Sequence, residues 1–120
     1  MENRKLNDRE LLELAARAAG MQINEQRQAE RDAIVDPATA SLWIVDGCTA
    51  WNPLTEDGHA LRLAVKLSLH VRVCRRIIMV EMRTFGDDIT EPRGTDVYEA
   101  TRRAIVRAAA EIGKSMGGGE

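Results

Sequence analysis

Aromatic residues are scarce in this chain of 120: Trp43, Trp51, Phe85 and Tyr98 are all there are. A base-stacking surface made of several aromatics is therefore excluded, and the core must come from Leu, Ile, Val, Met and Ala. Cysteine is equally sparse. Cys48 and Cys74 stand far apart with no CxxC pair, so neither a disulfide framework nor a thiolate metal centre is expected. The N-terminal MENRKLNDRE does not read as a secretory leader, and no apolar run reaches 18 residues. These features lead to the expectation of a cytoplasmic protein with no membrane partner. A net charge of −2 removes a bulk polyelectrolyte as the obvious partner.

What is present is an ordinary globular composition, 44% hydrophobic and 30% charged, at a length suited to one core. The charge is uneven. Residues 1–61 sum to −5 and residues 62–114 to +4, which suits pairing between the two halves of one domain, head-to-tail self-association or a basic partner-binding face.

Asn7 followed by Glu10 is a capping-box spacing, with Leu6 and Leu11 placed for a hydrophobic staple. A helix over 8–19 follows, with a Leu and Ala stripe and Gly20 as its stop. Its alanines permit close approach to another element or to a second subunit. Residues 24–41 are charged, lack an apolar period and contain Pro37; they leave a loop, a short helix or an edge strand open. Leu42 to Val45 is a buried-strand run ahead of Asp46-Gly47, a pair suited to a type I′ hairpin turn. That turn pairs Val45 with Cys48, Ile44 with Thr49 and Trp43 with Ala50, and leaves Trp51 just beyond the hairpin.

Asn52-Pro53, or Thr55 with its acidic followers, starts a helix over 56–67. Its apolar residues cover most of the circumference, so it is expected to be largely buried, with His59, Arg62 and Lys66 as a narrow polar stripe. From Leu69 the period falls to two, placing Leu69, Val71 and Val73 on one face of a strand. Ile77–Arg83 forms the next strand, joined through Arg75-Arg76 as an antiparallel hairpin. Residues 85–94, with Gly, Pro and acidic residues, read as a loop. Thr95 or Asp96 then caps a last helix ending near Gly113, and 114–120 reads as a flexible tail. The expected fold is α+β: a single domain over 1–113 with a small antiparallel or mixed sheet of three to four strands packed with three helices, in the order α-β(β)-α-β-β-α.

The stretch from Trp51 to Leu67, WNPLTEDGHALRLAVKL, resembles the WNPLxxDGxALRLAVKL signature of small proteins from tailed bacteriophages and prophages, the phage α/β/α sandwich family. The LLELAARAAG helix, the apolar strand before Trp51 and the closing ATRRAIVRAAAEIG helix extend the resemblance over most of the chain. It implies a phage or prophage origin and a bacterial cytoplasm, but no activity. His59 stands where many relatives carry an acidic residue.

Catalytic chemistry finds little support. His59 and His70 lie on different elements, and a hydrolase would need a cleft uniting His59, Asp57 and Cys48 or Cys74. Glu56-Asp57 and Asp87-Asp88 read as caps and solubilising charge. The phosphate-loop pattern GxxxxGK[ST] is absent. No catalytic residue, cofactor or metal is expected. Two constellations remain as candidate interaction residues. Trp51 and Asn52 join strand to helix and could be structural or receive an anionic group. Arg72, Arg75, Arg76 and Arg83 on the hairpin, with Arg102, Arg103 and Arg107 on the last helix, could contact phosphates. The expectation is a non-enzymatic phage accessory protein, a homo-oligomer such as a dimer, that binds a host or phage protein; the alternative is a nucleic-acid-binding module using the arginines.

Overall fold

The computed structural model describes residues 6–34, 41–43, 50–82 and 88–117. The fold is α+β, with the order α1 (Asp8–Ala18), α2 (Glu25–Asp32), β1 (Leu42–Trp43), β2 (Ala50–Trp51), α3 (Asp57–Lys66), β3 (His70–Val73), β4 (Ile77–Glu81), β5 (Ile89–Pro92) and α4 (Val97–Gly117). The strands form two antiparallel sheets, β1-β2 and β3-β4-β5. The Asp46-Gly47 turn with its two innermost pairs, Cys48, Arg83, Phe85 and residues 118–120 lie outside the described residues.

Local chemistry sets the helix starts. Asn7 accepts from the Glu10 N–H at 2.8 Å while Glu10 accepts from the Asn7 N–H at 2.9 Å, closing the capping box that begins α1. Asp96 does the same work for α4, accepting from the N–H groups of Tyr98 and Glu99. Gly20 ends α1 with φ at 75°, the left-handed geometry that costs glycine nothing. The first hairpin keeps the expected register, with Trp43 opposite Ala50, and β3 and β4 pair antiparallel as expected, with Val73 opposite Ile78.

Four expectations are corrected, and the segment left open after residue 23 takes the form of its short-helix alternative, α2, capped by Asn24. Its one buried residue is Gln28, which donates to Asp32 and to the Ser41 carbonyl, so no apolar stripe announces it. Trp51 is not beyond the hairpin but within it, opposite Leu42. The loop assigned to 85–94 includes a strand, β5, on which Pro92 is tolerated because its missing N–H faces the sheet edge. Thr55 caps nothing: Glu56 is the N-cap of α3, without a side-chain bond. Finally α4 does not stop near Gly113 but runs on through Gly117, four residues into the assigned tail. Gly113 is a packing glycine, because a Cβ there would meet the Leu14 backbone.

The last helix is the common element of the core, packing against α1, α3, β4 and β5. Its pairing with α1 is the most extensive, and alanines make it so: Ala15 and Ala16 on α1 and Ala104, Ala108, Ala109 and Ala110 on α4 are all buried. Ile78 and Val80 project from the central strand into the same core, with Leu12, Leu63 and Val106. The alanine-rich faces that suggested self-association are thus covered within one chain.

Candidate functional site

The Trp51-Asn52-Pro53-Leu54 turn is a buried joint. Trp51 is 7% and Asn52 8% exposed, which overturns the picture of an open tryptophan beside a ligand. Asn52 is bonded at every polar position. Its Oδ1 accepts from the Leu54 N–H at 3.0 Å, its Nδ2 donates to Ser41 Oγ at 3.2 Å, and its N–H donates to His59 Nδ1 at 3.0 Å. Its carbonyl accepts from the N–H groups of Thr55 and Glu56. Such a residue satisfies a turn that leads from β2 into α3, and no polar group is left over for a ligand.

The arginines of α4 also have structural partners. Arg102 donates to the Leu54 carbonyl and to Asp57, both at 2.7 Å, and so ties the turn and the start of α3 to α4. Arg103 pairs with Asp8 at the start of α1 at 3.1 Å, and that hydrogen bond, opposed by burial, holds its pKa above the usual arginine value. Arg107 reaches Glu91 at 2.6 Å and the Thr90 carbonyl at 2.8 Å, fastening β5. Two of these pairs join the acidic first half of the chain to the basic second half. On the hairpin, Arg72 bonds Glu81 at 3.1 Å with His70 beside it, and the two bonds, Arg72's the stronger, hold the Glu81 carboxyl below the usual carboxylate range. With Arg83 outside the described residues, the described members of the expected phosphate-contacting constellation that keep no ion-pair partner among the described residues are Arg75 and Arg76, exposed at the β3–β4 turn.

The proposed hydrolytic grouping does not assemble from the described residues. Asp57 is held by Arg102, and His59 accepts the Asn52 N–H. Cys74 sits after β3 as a free, half-buried thiol. Among the described residues no group of three or more His, Cys, Asp or Glu is placed to hold a metal ion, and no helix is long and apolar enough to cross a membrane.

The feature that sequence reasoning missed is an apolar groove of about 400 Å³ between α3, β3 and α4. Ala60, Ala64, Val71 and Ile105 line it, and Leu61, Val73 and Tyr98 stand at its rim. Leu61 is 64%, Val65 69%, Val73 55% and Tyr98 69% exposed. The expected burial of α3 and of the Leu69-Val71-Val73 face is therefore incomplete: Leu61, Val65 and Val73 stay open to solvent. The apolar excess around α3 was the available signal, and periodicity could not tell a covered face from an open one. A second cleft of about 550 Å³ lies between α1, β5 and α4, but its walls include Arg103 and Arg107, already paired.

No family model matches the chain, and no curated protein or solved structure matches it either.

Proposed function

We propose that this is a phage or prophage accessory protein that acts without catalysis, binding another protein through the groove between α3, β3 and α4. One observation carries the reading: Leu61, Val73 and Tyr98 are all more than half exposed around a single apolar depression. Isolated exposed apolar residues are ordinary, but a contiguous set bordering a groove is the usual mark of an interaction site. The WNPL-to-LAVKL resemblance supports the phage setting. The homodimer expected from alanine-rich helices loses that motivation, since those helices cover each other.

Tagged wild-type protein and the Leu61→Asp/Tyr98→Asp variant, each shown to be folded by circular dichroism, would be used to capture partners from phage-infected and uninfected bacteria. A protein retained by the wild type and lost with the variant is expected. Equal retention by both would end the reading.

Arg75 and Arg76, exposed at the hairpin turn without an ion-pair partner among the described residues, favour the nucleic-acid reading as the second one. It expects weak, sequence-tolerant binding to an oligonucleotide that falls as salt rises and disappears in Arg75→Glu/Arg76→Glu. Salt-independent polarisation would remove it.

A further inference from the structure

We propose that the groove receives an extended, acidic peptide segment that pairs as a fourth strand along the free edge of β3. This rests on the groove being the interaction site and adds the conformation and charge of what occupies it.

The backbone phase of the sheet supplies the first argument. The Cys74 N–H donates to the Ile77 carbonyl at 2.9 Å, and the β3–β4 register runs His70 opposite Glu81 through Val73 opposite Ile78. Alternation along an antiparallel ladder then points the N–H and C=O groups of His70 and Arg72 at β4, and those of Val71 and Val73 outward. Val71 and Val73 are also the β3 residues whose side chains line the groove. Donors, acceptors and apolar side chains for an added strand thus coincide on two residues.

The opposite edge is closed by contrast. On β5 the Arg93 N–H donates to the Arg76 carbonyl, so Thr90 and Pro92 are the outward residues. Pro92 has no N–H, and the Thr90 carbonyl is occupied by Arg107. Natural sheets blunt exposed edges with proline and charge; here one edge is blunted, and the other, beside an apolar wall, has no strand paired to it among the described residues. The exposed Leu61 of α3 lines the same groove as Val71 and Val73, so a strand added beside β3 would lie against it.

Charge decides between occupants. Arg93 lines the groove and reaches the Cys74 carbonyl, and Arg75 and Arg76 stand exposed at the end of β3; none of the three has an ion-pair partner among the described residues. Asp57 is the one carboxylate lining the groove, and Arg102 neutralises it. A second copy pairing through its own β3 would set Arg72 opposite Arg72. An acidic strand would meet Arg75, Arg76 and Arg93. Strand addition of this kind takes affinity from main-chain bonds and specificity from alternate side chains.

The test uses the full chain and a short fluorescent synthetic peptide of alternating valine and glutamate, read by polarisation, with amide hydrogen exchange on the protein. Expected are saturable binding that weakens as salt rises, a loss of about tenfold or more in Leu61→Asp and in Arg75→Glu/Arg76→Glu, and new protection at the amides of Val71 and Val73. The same peptide N-methylated throughout should not bind. Absence of binding, binding without protection at those two amides, or equal binding of a valine–lysine or a helical peptide overturns the inference; in the last two cases the groove survives as an interaction site. Protection of the same amides by raised protein concentration alone would give the edge to a second copy. If capture of the cellular partner also ignores Leu61→Asp/Tyr98→Asp, the functional reading falls as well.

Discussion

Gly113 of α4 lies so close to Leu14 of α1 that a methyl group on its Cα would overlap the Leu14 carbonyl. Two helices meet here backbone to backbone, and the glycine is required by space, since it sits inside α4 with the helix continuing past it. Elsewhere in a helix, alanine in place of glycine gains stability. At this position Gly113→Ala is expected to cost about 3 kcal/mol, because neither helix backbone can yield without shifting the buried alanines on both sides. Urea denaturation measures it, and a neutral or stabilising effect would contradict the packing.

Ser68 predicts the opposite outcome. It follows α3 with φ at 56°, and the Leu69 N–H reaches back to the Ala64 carbonyl at 2.9 Å. Gly20 holds the same place after α1, where the Met21 N–H reaches the Ala16 carbonyl. A residue with a Cβ is disfavoured in this conformation. Ser68→Gly should stabilise the protein by about 0.5–1 kcal/mol, offset in part by the added freedom of the unfolded chain. A thermal melt would show the midpoint rising.

Asn52→Ala should be among the more damaging single changes outside the apolar core. It strands the buried Leu54 N–H, removes the tie to Ser41 and loosens the joint between β2 and α3. A loss of about 2 kcal/mol is expected, with increased exchange at the Leu54 amide as the local signature. Asn52→Asp should retain the Leu54 bond and lose only the donation to Ser41, giving a smaller effect.

Asp32 connects α2 to α1 through Arg9, whose Nη1 and Nη2 reach its two oxygens at 3.1 and 2.9 Å. The hydrogen bonds from Arg9 first, and then Gln28, hold the Asp32 carboxyl below its ordinary pKa. The arginine stays charged throughout, so the pH dependence is the carboxylate's. A depressed folded-state value means the contribution is fully present above the ordinary aspartate range and is lost as pH falls through the lowered value. Exchange protection across α2 should therefore drop on acidification below that range while α4 remains protected. Asp32→Asn should lower protection of α2 at neutral pH and abolish most of that dependence; an unchanged acid profile in the variant would count against the Arg9–Asp32 clasp.

Arg103 and Asp8 should show coupling in a double-mutant cycle. Both side chains are partly exposed, so a coupling of about 0.5–1 kcal/mol is expected between Arg103→Gln and Asp8→Asn. No coupling would mean that the opposite charges of the two halves do not stabilise the fold.

Much of the fold was legible because its signals are local. The capping pair Asn7 and Glu10, the Asp96 cap and the glycine after α1 involve residues a few positions apart, and short-range patterning pointed to the Trp43–Ala50 pairing and to the antiparallel pairing of β3 with β4. Signals that depended on distant partners were not legible. The polar helix α2 is held by Arg9 and by the Ser41 carbonyl, neither of which its own sequence announces. Strand β5 carries a proline acceptable only because tertiary placement makes it an edge. The arginines of α4 looked like a binding surface because sequence shows the cations and not the carboxylates and carbonyls brought to them from α1, α3 and β5.

The candidate site divides in the same way. By itself the sequence determined that α3 carries more apolar surface than one buried stripe needs, and that Val71 and Val73 share a face. Only the tertiary structure decided that Trp51 is covered while Leu61, Val65 and Tyr98 are not. Whether an apolar side chain is buried depends on which element arrives to cover it, and among the described residues none covers Leu61, Val65 or Tyr98.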